Sequence, residues 1–304
     1  MTTPSVPSIE QTAGRAAAKA ARRRQSNETE AGRRPTWVTY VLLGAVVLIS
    51  VYPLYYTFLL ASSTPAEIAQ NPITSPIPGG NLADNLTRIF ESDIDLVRAF
   101  WNSVVVSAAT ALAVVFLSTL AGFAFSKLRF RGRAGLLTFV VATMAIPTQL
   151  GVVPLFIVMR SMGLTGSLWA VIIPGIASAF GVFWMTQYLQ SALPYELIEA
   201  ARIDGASTFR IFRAIVLPAA RPAAAMLSLF TFIGAWTSYF WPSIVLGSSN
   251  PTLPVALQLL QAGFFKDIAL IMSGVLISVV PLLALFFILG KQLVAGVMQG
   301  AVKG

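Results

Sequence analysis

Glu196, Glu199, Arg202 and Asp204 lie close together in 192–222, a polar stretch inside an otherwise apolar chain of 304 residues. Carboxylates can serve general acid–base chemistry, most often beside an imidazole, a thiolate or a metal. The chain has no histidine and no cysteine. The usual general base, the thiolate nucleophile, the disulfide framework and the common zinc ligands are therefore all absent. A phosphate-cradling G-x-x-x-x-G-K-[ST] loop is absent too, since only Lys291 follows a glycine and Gln292 comes next. The commonest catalytic sets are thus missing, and the polar loop stands out as a candidate surface of contact.

Local chemistry predicts how the loop folds. Pro194 can open a helix, because its missing N–H would have no partner in the first turn. Glu196 and Glu199 fall early in that helix, where carboxylates complement the positive end of the dipole. Gly205 suits the left-handed position that ends a helix, and Ser207 can cap the next one. Phe209, Phe212, Ile215 and Val216 are expected to share one apolar face, until Pro218 and Pro222 stop the helix. Ala200 and Ala201 leave the first helix thin enough for a partner surface to approach closely. The alternative is an ordinary amphipathic linker lying on the membrane face, which has no need of Ala-Ala and Gly at these spacings.

The elements around this loop are membrane spans. The chain is 56% hydrophobic and 11% charged, with mean hydropathy +0.75, which excludes an ordinary soluble domain. Apolar runs long enough to cross a bilayer fall at 37–60, 100–126, 134–159, 167–189, 223–246 and 268–290. The first has a long charged leader and an apolar run longer than that of a signal peptide, so it is read as a retained helix. Net charge is +9, a value that would fit nucleic acid in a soluble protein. Here the positions of the cations report orientation instead. Seventeen of the 21 Lys and Arg lie in the leader, in 127–133, in the Glu-Ala-Ala loop or after residue 290, against Arg88, Arg98, Arg160 and Lys266 on the other side. Both termini and the loop are thus expected in the cytoplasm.

The expected organisation is a disordered basic tail at 1–35, then a first span with an external loop at 36–99. A core domain follows at 100–290 and a cytoplasmic tail at 291–304. The leader's arginines can touch anionic lipid headgroups at about 1 kcal/mol each, but a basic tail that sets topology is the preferred reading. The segment 247–265 carries no charge and suits docking on a partner, folding over a pore or packing on its own bundle. Prolines 53, 147, 154, 174, 242 and 281 fall inside spans. They are read as packing features, with Pro147 and Pro174 the ones placed to shape a pathway. The span interiors hold no Asp, Glu, Lys, Arg or His, which argues against an ion-coupled secondary transporter.

The pattern Glu199-Ala200-Ala201, three residues, Gly205, nine residues, Ile215-x-Leu217-Pro218 resembles the coupling loop of the membrane subunits of binding-protein-dependent ABC importers. From residue 36 onward the chain is similar to the carbohydrate-uptake branch, in particular the second permease subunit of maltose-type systems. Thr64-Pro65-Ala66-Glu67, Ile146-Pro147-Thr148-Gln149, Gly163-Leu164, Thr252-Leu253-Pro254-Val255 and the terminal Gly300-Ala301-Val302-Lys303-Gly304 carry that likeness. Where such permeases often have an Asn and an acid after the first Trp of the fifth span, this chain reads Trp236-Thr237-Ser238.

The resemblance implies an all-α membrane protein of six transmembrane helices with the type I ABC importer permease fold. Its partners would be a homologous second permease subunit, two ABC ATPase subunits and an extracytoplasmic solute-binding protein. ATP and Mg would be used by the ATPases, with no cofactor on this chain and no metal site. Glu196, Glu199, Ala200, Ala201, Asp204, Gly205, Ala206, Leu217 and Pro218 would couple to the ATPase. Trp184, Gln187, Trp236, Tyr239 and Trp241 are candidate liners of the substrate path, since aromatic faces and amides suit sugar rings, although Trp and Tyr also mark membrane interfaces. A sugar or oligosaccharide is the expected solute, and a glycerol phosphodiester or polyol the alternative. A membrane scaffold or sensor that binds a partner through the same loop is the rival from another class.

Overall fold

The computed structural model describes residues 36–71, 75–92, 94–261 and 267–301. The expected disordered tail at 1–35 and the end of the Gly-Ala-Val-Lys-Gly signature lie outside them. Two compact units make up the chain, residues 1–56 and 57–304. The first helix, α1 (Trp37–Ala61), is apolar throughout and long enough to span a bilayer. Among the described residues every regular element is helical, as hydrocarbon demands of a chain that cannot close a barrel.

Within residues 57–304 the organising element is α4 (Leu96–Lys127), 32 residues long and so about 48 Å from end to end. Two helices pack along it, α8 (Ala179–Ala192) and α11 (Leu217–Trp236). Small residues permit the close approach of α4 and α8. A Cβ added at Gly122 would lie 2.7 Å from the Met185 Cβ and 2.8 Å from its carbonyl carbon, and one at Gly181 would lie 2.3 Å from the Ser118 hydroxyl. Ser118 and Gly122 stand one turn apart on α4, a small-residue seam of the kind that holds helices together where no hydrophobic drive exists between them.

Among the described residues four helices are long and apolar enough to be continuous spans, and two bent pairs pass the same test as broken ones. The third comprises α5 (Arg133–Thr143), a 3-10 turn at Thr148–Gly151 and α6 (Val152–Ser161), bent by 90° around Pro147. The fourth comprises α7 (Trp169–Gly175) and α8, bent by 41° just past Pro174. With each bent pair taken as one span the total is six. Pro53 and Pro281, by contrast, sit inside unbroken helices.

At the end of α4 remote from the Glu-Ala-Ala loop, side-chain amides tie short helices down. From α3 (Leu82–Phe90), Asn85 Nδ2 donates to the carbonyls of Ala61 and Ser63, both at 2.9 Å. Asn102 Nδ2 on α4 donates to Asn250 Oδ1 and to the Pro251 carbonyl. The Leu253 N–H donates to Ser103 Oγ at 2.7 Å. These bonds seat α13 (Leu253–Gln261) on its own bundle, with Leu253, Val255, Ala256 and Leu257 buried. Of the three roles open to the uncharged segment, packing on the bundle is the one observed for its described part.

The Gly122 seam is directly testable. Replacing Gly122 with Val should cost the folded chain about 1–3 kcal/mol through overpacking, read as a lower thermal midpoint in detergent. Gly135→Ala, where nothing stands within 4 Å of the new Cβ, should not lower it.

Candidate coupling surface and cavity

The loop forms as its residues dictate. The last turn of α8 gives way at Leu193 to extended backbone, and Pro194 (φ −59°, ψ 142°) turns the chain into α9 (Tyr195–Ile203). Gly205 takes φ +75°. Its N–H bonds to the Arg202 carbonyl at 3.0 Å, and the Ala206 N–H reaches back to the Ala201 carbonyl at 2.9 Å. This pair of bonds is the Schellman closure of a helix. Ala201 and Ala206 pack on the core beneath it. Ser207 caps the next helix by accepting from the Arg210 N–H at 3.3 Å.

Two expectations for this region need correction. Pro218 and Pro222 do not stop the helix, which runs unbroken over Thr208–Trp236 as the fifth span. α10 (Thr208–Ile211) leads into a π turn at Phe212–Val216, and α11 continues from it with Pro218 just past that wider turn. The same turn alters the buried face. Ile211, Phe212 and Val216 are buried, whereas Phe209 is 73% exposed, because a π turn carries more residues than the spacing argument assumed.

α9 has two faces. Ile198 is fully buried against Leu193, Ile211 and Phe212. On the opposite side Glu196, Glu199, Ala200 and Ile203 fall at i, i+3, i+4 and i+7 and are all exposed, Ile203 to 87%. Leu197, Asp204, Phe209 and Arg210 are exposed as well, Pro218 is exposed beyond them, and Leu217 is half-buried. Two carboxylates thus flank a bare alanine, with large apolar side chains standing free around it. Soluble loops rarely leave such residues uncovered. The arrangement can receive a protein surface, and its carboxylates can pair with basic groups. Among the described residues no group of His, Cys, Asp or Glu is placed to hold a metal ion.

The other end of α8 borders a cavity of about 490 Å³. Its walls come from α4, from the breaks in the third and fourth spans, from α11 and from α12 (Phe240–Val245). Hydroxyl-bearing Thr110, Thr148, Ser178, Thr231 and Ser238 line it together with the Trp241 ring, and no charged side chain does. Trp241 Nε1–H donates to the Ala170 carbonyl at 3.0 Å, which fixes the ring.

Of the five path candidates, only Trp241 borders this cavity. Trp236 is 2% exposed, its Nε1–H bonded to the Ser278 carbonyl and its ring stacked on Phe232, so it belongs to the core. Trp184 donates to the Ala223 carbonyl and packs against Phe180 and Phe230, which do line the cavity, so it stands behind the wall. Gln187 and Tyr239 are exposed and lie outside the lining. The five hydroxyls were not among the expected site residues. The signal that could have located them is a hydroxyl close to a proline or glycine break within a span, as Thr148 is to Pro147 and Ser178 to Pro174.

A bundle of apolar helices with an exposed, capped loop and an uncharged cavity suits an integral membrane transport subunit. The family model described as "Binding-protein-dependent transport system inner membrane component" matches residues 114–297, and the chain belongs to that family. It is a transport permease and not an enzyme. Its relatives include the lactose transport system permease protein LacG of Rhizobium radiobacter, 31% identical over 89% of this chain and 97% of that one. The arabinooligosaccharides permease AraQ of Halalkalibacterium halodurans is 30% identical over 88% and 97%. The sn-glycerol-3-phosphate permease UgpE of Agrobacterium fabrum is 29% identical over 86% and 95%. A chain of a bacterial ABC transporter that imports the acidic polysaccharide alginate shares the fold, with a TM-score of 0.71 at 24% identity over 84% of this chain and 94% of that one.

The two faces of α9 predict opposite responses to the same kind of change. Ile198→Ser should destabilise the isolated permease by about 2–5 kcal/mol, as a fully buried side chain is lost. Ile203→Ser, on the exposed face, should leave its detergent melting within about 0.5 kcal/mol of native.

Proposed function

We propose that this chain is one of two permease subunits of an ATP-driven importer of a neutral sugar or oligosaccharide. The exposed stripe of Glu196, Glu199, Ala200 and Ile203, with Phe209 and Gly205 beside it, receives an ATPase subunit from the cytoplasm. Asp204 and Ala206 belong to the turn that presents the stripe, and Leu217 and Pro218 to the helix that carries motion into the bundle. A polar groove of about 850 Å³ at the far end of α4, bordered by Glu91, Asp95, Arg98 and Ser248, faces the solute-binding protein. Both termini lie in the cytoplasm with the loop, in keeping with the distribution of Lys and Arg.

The uncovered stripe is the observation that carries this reading. A second permease subunit is supported independently by the third span. Around its break Ile146 and Leu150 are 60% and 73% exposed, and non-helical backbone at membrane depth must be covered by protein or line a water-filled path. ATP-driven closure of the ATPase pair would then move α9 and reopen the cavity to the opposite side.

The absence of charged side chains from the cavity lining favours a neutral solute, because phosphate recognition commonly draws on arginine. A glycerol phosphodiester or polyol is the second reading, and the relatives named for sn-glycerol-3-phosphate, a phosphomonoester, support it only through the shared glycerol unit. Thr110, Ser178 and Thr231 contact the solute in either case, and Trp241 offers its ring.

Combining Glu199→Ala with Gly205→Val tests the assignment. Valine at φ +75° is strongly disfavoured, and truncating one partner of a desolvated charge pair costs about 2–5 kcal/mol. Membrane level should stay normal while ATPase co-purification and uptake of a panel of neutral oligosaccharides and glycerol phosphodiesters collapse. Normal uptake by the double variant would refute the loop as the coupling site.

A further inference from the structure

Two cations at the end of α4 have no part in the function proposed so far. Lys127, the last residue of α4, is only 5% exposed, whereas Arg131 and Arg133 a few residues on are exposed. A lysine that merely sets topology does not need burial, and a buried cation is costly unless it is used. Lys127 Nζ donates to the Gln190 carbonyl at 3.3 Å. That carbonyl is among the last four of α8, which have no partner within the helix and form its negative end. Glu196, in the first turn of α9, is the charge that attracts the same ammonium.

The next residues extend the grip. Leu128 packs on the core cluster that contains Leu193 and Ile198. The Arg129 guanidinium lies 5.3 Å from the centroid of the Tyr195 ring, at the start of α9. One end of α4 therefore holds both sides of the joint between α8 and α9. The joint itself is weak in backbone bonding, because Leu193 is extended, Pro194 has no N–H, and no helical ladder crosses from α8 to α9.

We propose that Lys127, assisted by Arg129, is a positioning clamp that makes the α8–Pro194–α9 elbow rigid. Displacement of α9 is then carried along α8 to the cavity instead of being absorbed at the elbow. α8 has 14 residues, so the clamped elbow lies about 21 Å from Ser178 at the cavity wall. This inference rests on the reading of α9 as the surface that receives the ATPase.

The chain has no cysteine, so Ser238→Cys in the cavity wall is a unique reporter on this subunit. The test uses the full transporter complex in membranes and the rate of maleimide labelling at that cysteine, with and without ATP. With Lys127 present, ATP should change the rate by at least about fivefold, the lower end of usual coupling between sites. Lys127→Met, which keeps the length of the side chain, should abolish most of that response while the ATPase still co-purifies. Lys127→Arg should restore it. A full response in Lys127→Met overturns the clamp alone, and no ATP response in any background overturns the coupling reading along with it. If Lys127→Met assembles poorly, Arg129→Gln at an exposed position decides instead. A reduced response there supports the clamp, and an undiminished one overturns it.

Discussion

In a bilayer every main-chain N–H and C=O must find a partner within the protein or meet water. That constraint explains why this chain is helical, and it gives meaning to the places where it is not. The third span breaks around Pro147, the fourth breaks past Pro174, and the fifth ends at Trp236 before the short helix Phe240–Val245. The cavity draws its lining from all three places. Mostly apolar walls, with a few hydroxyls and no charged side chain, suit a path for an uncharged solute.

The loop and the cavity lie at the two ends of one helix. α8 meets the Glu-Ala-Ala loop through Leu193 and Pro194, and it begins in the cavity wall at Ser178. It is held along its length by α4, where Gly122 and Gly181 admit the neighbouring helix so closely that no β-carbon fits. A tightly seated helix of this kind resists bending, because packed interiors transmit strain. Under the proposed coupling, displacement of the loop would reach the cavity along this one helix.

The sequence disclosed most of this architecture because its strongest signals are local. Apolar runs located the spans, Gly205 and Ser207 located the turn and cap, and the spacing of Glu199, Ala200, Ala201 and Gly205 identified the family. What it missed depends on tertiary context. The π turn at Phe212–Val216 let the helix pass Pro218 and turned Phe209 outward, which a fixed helical period does not anticipate. Trp236 and Trp241 look alike in sequence, yet one fills the core and the other borders the cavity, because each indole N–H is held by a carbonyl of a different helix. The hydroxyls of Thr110 and Thr231 are commonplace one at a time and become a site only when folding brings them together.

The central claim is that the outer face of α9 is the seat of an ATP-hydrolysing partner. A photo-crosslinking amino acid at Ile203, which is 87% exposed, tests it in cells that express the whole transporter. The account predicts an adduct between this chain and the ATPase subunit on illumination. An assembled, transporting complex that yields no such adduct, or a residue 203 that reacts with membrane-impermeant reagents from outside the cell, would contradict it.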